Sequence, residues 1–323
     1  MTATALTASP RLYALPSDPE QRDGDWAPDD PGTGPWPLDR AYAYCESIAR
    51  ERSSNFAVAS RFVPAELRPD VWAIYAFARL ADDFADEARY EGQRIEALDR
   101  WEELLDQSYR REVDHPVFRA LRATVRRHDI PLSDLKALLT AYRFDLQGRH
   151  PRTYKDLRDY CSFAANPIGR IALYVHGHRE SRLHRFSDDL AMGVQLAHHL
   201  QKLASDVAAG RHYLPLEDLV HFGVTREELE RGESGEAFKE LMAFSVARAR
   251  TLLLRGKPLI RRVDPSLSME LEATWRGGMK ILDRIEANDY DVFDNDAGLA
   301  TRDLADVALR SAFSFGRRFF RGQ

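Results

Sequence analysis

The pattern of apolar and polar positions predicts helices along almost the whole chain after residue 37. Apolar residues recur at the three- and four-residue spacing of amphipathic helices, and the alternating β-branched runs typical of strands are absent. Prolines and glycines separate these segments, as expected for helix ends. The predicted helices are 38–51, 67–87, 94–112, 115–128, 132–149, 154–177, 188–210, 226–255, 267–288 and 304–320.

The first 37 residues follow a different pattern. They hold prolines 10, 16, 19, 28, 31, 35 and 37, together with the acidic pair Asp29–Asp30. Such a segment can neither propagate a helix nor bury much apolar surface. We therefore predict a disordered arm over residues 1–37 and one all-α domain over residues 38–323.

The composition argues against nucleic-acid-binding, secreted and membrane-spanning classes of protein. Of 323 residues, 44% are apolar and 30% charged, and the net charge of −5 comes without a basic block, which argues against a nucleic-acid partner. Cys45 and Cys161 match no metal-ligand spacing and fit a reducing compartment. We see neither a secretory signal nor an apolar run of the roughly 18 residues that span a bilayer. The expected location is the cytoplasm.

The segment VWAIYAFARLADDFADE, residues 71–87, begins apolar and ends in a cluster of acids. Asp82 and Asp86 are four residues apart, and steps of three and four place Arg79 and Tyr75 on the same helical stripe. Carboxylates that face an apolar interior need compensation, which Mg²⁺ commonly supplies. The alternative is an ordinary helix end entering solvent.

A second polar stripe lies in residues 193–215, GVQLAHHLQKLASDVAAGRHYLP. Its members on the helix and in the loop after it are Gln195, His198, Lys202, Asp206, Arg211 and Tyr213. Two facing helices that carry Asp could hold Mg²⁺ ions that neutralise a diphosphate leaving group. Alternatively, Lys202 and Asp206 form a surface ion pair. The adjacent His198 and His199 cannot both ligate zinc from one face.

Six motifs occur in an order that resembles a known family. They are YC at 44–45, RSSNF at 52–56, LRPDVWAIYAFARLADDFAD at 67–86, YCSFAANPIGR at 160–170, GRHYLP at 210–215 and ILDRIEANDYDVF at 281–293. Over about residues 44–293 the chain resembles the squalene/phytoene synthases, which are trans-isoprenyl diphosphate synthases. The resemblance implies an all-α isoprenoid-synthase bundle, of the class I terpenoid synthase type, with a central active-site cavity.

Within that family, the phrases NFAVAS, ANPIGR and GGMKIL most resemble the hydroxysqualene synthase branch. This resemblance implies Mg²⁺-dependent ionisation of presqualene diphosphate, ring opening and capture of water to give hydroxysqualene. It also implies a paralogous presqualene diphosphate synthase as a partner in hopanoid or squalene biosynthesis. The alternatives are condensation of two prenyl diphosphates to squalene or phytoene, and a non-catalytic partner subunit.

The resemblance assigns roles position by position. Asp82, Asp86 and Asp206 match metal ligands, and Tyr160 matches a tyrosine of the active-site wall that stabilises a cation or positions water. Positions implied to contact the substrate or its diphosphate are Ser53, Asn55, Tyr75, Arg79, Gln195, Arg211 and Tyr213.

The second motif departs from the family pattern at two positions. His198 and Lys202 stand where the family usually carries Asn and the first Asp, so hard oxygen ligands for Mg²⁺ are lost. Near Asn295, where an Arg that binds diphosphate is common, there is no basic residue. Either Lys202 places an ammonium where a metal ion would sit, touching the diphosphate, or the site is degraded.

The C-terminal sequence SAFSFGRRFFRGQ combines aromatic and basic residues. Phe313, Phe315, Phe319 and Phe320 alternate with Arg317, Arg318 and Arg321. Such a tail fits peripheral contact with anionic lipid at the inner face of a membrane. The alternative is a last helix that packs its Phe residues on the bundle.

Overall fold

The computed structural model describes residues 36–52 and 63–293 of the chain. These two ranges contain α-helices, two short 3-10 helices at Ala88–Tyr90 and Lys257–Arg261, and no strand. The α-helices are α1 Leu38–Arg52, α2 Arg68–Asp86, α3 Arg94–Arg110, α4 Pro116–His128, α5 Leu132–Leu146, α6 Tyr154–Ala164, α7 Asn166–Val175, α8 Ser181–Gln201, α9 Leu203–Ala208, α10 Leu216–Phe222, α11 Arg226–Glu230, α12 Glu236–Gly256 and α13 Pro265–Ala287. The all-α prediction is confirmed.

Side-chain hydrogen bonds cap the first turns of two helices. The Thr153 side chain accepts from the Asp156 N–H while the Asp156 side chain accepts from the Thr153 N–H, and this capping box starts α6. Asp264 caps α13 by accepting from the N–H groups of Ser266 and Leu267.

Several predicted boundaries are wrong. The predicted helix 154–177 is two helices, because Pro167 in the first turn of α7 has no N–H with which to continue the ladder of α6. The predicted helix 226–255 is also two, separated by a turn in which Gly232 has φ +69°. The predicted helix 188–210 begins earlier, at Ser181, and is interrupted at Lys202. Helix α10 was missed.

The buried side chains form two apolar clusters. The first joins α1 to α5 around Trp101, whose ring packs against Phe77, Phe84 and Phe118. The second joins α6 to α13. Helix α7 contributes to both, with Ile171 in the first and Leu173 in the second. The prediction of a single domain over residues 38–323 stays a prediction.

Helices α8 and α12 approach each other at backbone distance. A Cβ on Gly193 would lie 2.8 Å from the backbone nitrogen of Leu253, and one on Gly256 would lie 2.6 Å from that of Leu190. Glycine is therefore required at both positions for this close packing. The same packing fixes α8, which carries the second polar stripe.

Some sequence predictions fall outside the described residues. They concern the N-terminal arm up to residue 35, Ser53 and Asn55, and the aromatic and basic tail. Within the described ranges, no helix is long and apolar enough to cross a membrane.

Candidate active site

The acidic end of α2 is built around a buried arginine. Arg79 Nη2 lies 2.7 Å from Asp83 Oδ1, and Arg79 Nη1 lies 3.8 Å from Asp82 Oδ2. Burial alone would lower the pKa of Arg79, but the charges of Asp83 and Asp82 raise it above its ordinary value. The arginine therefore stays charged, and three carboxylates with one guanidinium occupy this stretch of α2.

The two aspartates predicted to point the same way differ in exposure. Asp82 is 6% exposed, whereas Asp86 is exposed near the last turn of α2. Tyr75 is buried one turn before Arg79. The helix-end alternative therefore describes Asp86, while Asp82 and its neighbour Asp83 face the interior.

A cluster of aromatic residues surrounds Asp145 on α5. The Tyr160 hydroxyl donates to Asp145 Oδ2 at 3.2 Å, and the Tyr213 hydroxyl donates to Oδ1 at 3.2 Å. Burial, and then the negative charge of Asp145, hold the pKa of Tyr160 well above its ordinary value, so its hydroxyl stays neutral. The ring of Phe144 packs on Tyr160, with centroids 5.1 Å apart. The carboxylate thus fixes both tyrosines.

His199 and Gln195 extend this cluster from α8. The imidazole of His199 stacks on the Tyr213 ring at 3.8 Å between centroids, and its Nε2 lies 2.8 Å from the amide nitrogen of Gln195. His199 and Tyr213 also line a mainly apolar pocket between α6, α8 and α12. Residues from α5, α6, α8 and the loop before α10 therefore meet at one place.

The remaining polar stripe of α8 contains buried atoms without partners. Gln195 Oε1 and both ring nitrogens of His198 are buried and have no hydrogen-bond partner among the described residues. Burial, and then the charge of Lys202, lower the pKa of His198 to about 3, so the ring is neutral. Buried polar atoms in this state are satisfied by water or by a ligand.

Asp206 on α9 lies between two cations. Its Oδ1 is 3.3 Å from Arg211 Nη2 and 3.9 Å from Lys202 Nζ. Asp206 is 5% exposed, while the side chains of Lys202 and Arg211 are 44% and 37% exposed. The prediction of an ion pair between Lys202 and Asp206 therefore agrees with the structure, although one partner is buried.

The two polar helices differ in the oxygen ligands that they offer to Mg²⁺. Carboxylate oxygens are the ligands that Mg²⁺ prefers, and α2 supplies them from Asp82 and Asp86, with Asp83 beside them. On α8 and α9, His198 is a nitrogen donor and Asp206 is already balanced by cations. Across residues 36–52 and 63–293, no group of three or more His, Cys, Asp or Glu side chains is arranged to hold a metal ion.

The structure brings together some of the predicted residues and adds others. Tyr160 and Tyr213 share Asp145, Gln195 adjoins them through His199, and Arg211 joins Asp206. Asp145 was missed in the sequence, because the pattern of a mixed-charge helix does not distinguish a carboxylate that faces a site from one that faces solvent. Asp83 was missed because helical spacing drew attention to Asp82 and Asp86.

The fold defines the class of protein: the all-α isoprenoid synthases. The family model for squalene/phytoene synthase matches residues 49–304, and the chain belongs to that family. Members of this family process prenyl diphosphates.

Individual relatives agree with this assignment. Phytoene synthase from Arthrospira platensis is 29% identical over 274 residues, which are 81% of this chain and 89% of that protein. The crystal structure of squalene synthase HpnC from Alicyclobacillus acidocaldarius matches with 35% identity and a TM-score of 0.76, covering 79% of this chain and 96% of that one. A dehydrosqualene synthase structure matches with 25% identity and a TM-score of 0.76, covering 87% and 98%.

Proposed function

We propose that this protein is a hydroxysqualene synthase that ionises presqualene diphosphate, opens its cyclopropane ring and captures the cation with water. The products are hydroxysqualene and diphosphate. A paralogous presqualene diphosphate synthase would supply the substrate.

The shared carboxylate of Asp145 is the observation that carries this proposal. Tyr160 and Tyr213 both donate their hydroxyl protons to Asp145, and a phenol oxygen that donates, such as that of Tyr160, can also accept a hydrogen bond. A water that donates to such an oxygen turns its own lone pair outward, toward a carbocation. The aromatic faces of Tyr160 and Phe144 stabilise that cation by cation–π attraction until it is captured.

The carboxylates of Asp82 and Asp86 would hold Mg²⁺ beside the diphosphate. When bound there, the metal ion supplies Lewis-acid stabilisation of the charge that develops on the leaving group. Arg79 keeps Asp82 in place from within the bundle, and Tyr75 occupies the preceding turn. The apolar surroundings exclude water from the ionising bond.

The likeness to a protein named squalene synthase supports a thirty-carbon substrate. That structure is 35% identical to this chain over most of both. The curated relatives named phytoene synthase favour the second candidate, which is condensation of two prenyl diphosphates. The altered second motif favours the third, a non-catalytic partner subunit.

One incubation separates these three candidates. Purified protein is given presqualene, farnesyl or geranylgeranyl diphosphate with Mg²⁺, and the organic extract is analysed by mass spectrometry. We expect hydroxysqualene from presqualene diphosphate, carrying ¹⁸O when the water is labelled, and none in EDTA. Squalene or phytoene from the shorter substrates would establish condensation instead. A folded protein that yields no product from any substrate would establish the non-catalytic role.

The aromatic and basic tail remains a separate proposal, because it lies outside the described residues. Peripheral contact with the inner face of a membrane would bring a water-insoluble product to lipid. Sedimentation with anionic liposomes should fall when residues 311–323 are deleted. Equal sedimentation of the full-length and the truncated protein would contradict a role of the tail in membrane contact.

A further inference from the structure

The two polar stripes identified in the sequence carry opposite balances of charge. On α2, Asp82, Asp83 and Asp86 accompany the single cation of Arg79. Around Asp206 the order is reversed, since one carboxylate accompanies both Lys202 and Arg211. A divalent cation is attracted to the first arrangement and repelled by the second, whereas a diphosphate is attracted to the second.

His198 makes α8 a poor binding site for Mg²⁺. Its ring is buried and neutral, and a nitrogen donor is a poor ligand for Mg²⁺. A neutral imidazole still offers one N–H, which can donate to a phosphate oxygen. Its two ring nitrogens and Gln195 Oε1 are the partnerless buried atoms of this stripe.

We propose that α8 and α9 bind the diphosphate directly through Lys202 and Arg211, without metal ions, and that metal ions bind only on the α2 side. This inference takes its ligand, a diphosphate, from the proposed function. Lys202 and Arg211 are the fixed cations, and His198 adds a hydrogen bond without adding charge.

The position of Lys202 in the chain suits this task. It lies at the interruption between α8 and α9, with φ −94° and ψ 9°, while the Asp206 N–H still bonds to its carbonyl at 2.9 Å. Asp206 holds the ammonium by an ion pair to the following turn, and the half-exposed lysine side chain leaves room for an anion. An ammonium binds phosphate as a point charge and tolerates several oxygen positions.

The first test measures binding of inorganic pyrophosphate by calorimetry in EDTA. Wild-type protein should bind pyrophosphate without metal, and Lys202→Gln should weaken binding by about tenfold, the loss of one charge-assisted contact. Lys155→Gln is the matched control, because Lys155 forms the same i, i+4 pair with Asp159 on the exposed face of α6. Failure of the wild type to bind in EDTA, or equal affinity in Lys202→Gln, would overturn the proposal.

The second test counts metal ions. Equilibrium dialysis with Mn²⁺ and saturating pyrophosphate is compared between the wild type and His198→Asn/Lys202→Asp, which restores oxygen donors on α8 and α9. The restored variant should bind more Mn²⁺ per chain than the wild type. An equal number would show that metal ions already occupy this side, against the proposal.

Neither measurement requires turnover, so the two ideas can fail separately. A protein that binds pyrophosphate through Lys202 but makes no hydroxysqualene contradicts the proposed function alone. A protein that makes hydroxysqualene but binds pyrophosphate only with metal contradicts this inference alone.

Discussion

The end of α2 and the junction of α8 with α9 both place a buried carboxylate beside a cation, but with opposite balances of charge. In α2 the cation is buried and the carboxylates outnumber it. At Asp206 the carboxylate is buried and the cations outnumber it. The α2 arginine is part of the core, whereas Lys202 and Arg211 are partly open to solvent.

This difference shows what each site can hold. A buried cation with surplus carboxylates stabilises the fold and leaves anionic oxygens for a metal ion. A buried carboxylate with surplus, accessible cations leaves positive charge for an anionic ligand. The comparison predicts that loss of Arg79 affects mainly stability, while loss of Lys202 affects mainly ligand binding.

The largest effect is expected from Arg79→Met, which removes the buried cation while keeping much of its length. The free energy of unfolding should fall by about 3–5 kcal/mol, because Asp82 and Asp83 would be buried without compensation. Urea unfolding measures this change. The matched Arg211→Met, at a partly exposed pair, should cost less than about 1 kcal/mol. Equal losses of unfolding free energy in the two variants would contradict the conclusion that only the cation of α2 stabilises the fold.

The second effect is acid sensitivity caused by His198. Its folded pKa of about 3 lies below the unfolded value of 6.5, so the unfolded chain binds the proton more readily between these values. This contribution to stability is complete above pH 6.5 and is lost as the pH falls toward 3. The free energy of unfolding should therefore fall by about 2 kcal/mol between pH 6.5 and pH 5, at ~1.4 kcal/mol per pH unit.

His198→Asn provides the control for that prediction. Asparagine does not titrate, so urea unfolding of the variant between pH 7.5 and 5 should lose this slope. The pKa of Asp70 in the first cluster is also depressed, although burial opposes this, because His128 and Thr124 bond to its carboxylate. That contribution is lost at lower pH, as Asp70 becomes protonated, and remains in the variant. Burial also lowers the pKa values of His176, His184 and His212, so a shallower slope remains in the variant. An equal slope between pH 6.5 and 5 in the wild type and in His198→Asn would contradict the role of His198.

Sequence alone gave the fold class and most helices, because apolar spacing and the Pro and Gly positions are local signals. It could not give the partner of Tyr160, because Asp145 is 15 residues away and belongs to another helix. It also could not separate Asp82 from Asp86, since helical spacing fixes direction but not depth. Whether Lys202 meets Arg211 depends on the loop after α9, whose path no periodicity describes.

Asp145 links the two apolar clusters, and its substitution should have the third effect. It lies on α5 of the first apolar cluster and holds tyrosines that pack with the second. In Asp145→Asn one oxygen becomes an NH₂ group, which cannot accept from a tyrosine hydroxyl. We expect conversion of presqualene diphosphate to fall by about tenfold, equivalent to ~1.4 kcal/mol.

Product analysis decides whether Asp145 acts on water capture or only on packing. Tyr160→Phe removes the hydroxyl that accepts from the capturing water, and Asp145→Asn leaves that hydroxyl without its fixed partner. Both should therefore raise the ratio of hydrocarbon, formed when the cation loses a proton instead, to alcohol. Cys161→Ala, in the same helix as Tyr160 and buried in the same cluster, serves as a packing control. A lower rate with an unchanged product ratio in all three would assign Asp145 a structural role only.

The smallest effect on stability is expected from Lys202→Gln. The ammonium lies 3.9 Å from Asp206 and the lysine side chain is 44% exposed, so solvent screens the pair. Arg211 remains beside the carboxylate at 3.3 Å. The free energy of unfolding should therefore change by less than about 0.5 kcal/mol in urea. A loss of several kcal/mol would make Lys202 a structural counterion like Arg79. A small change, together with weaker pyrophosphate binding, would show that the positive charge serves the ligand and not the fold.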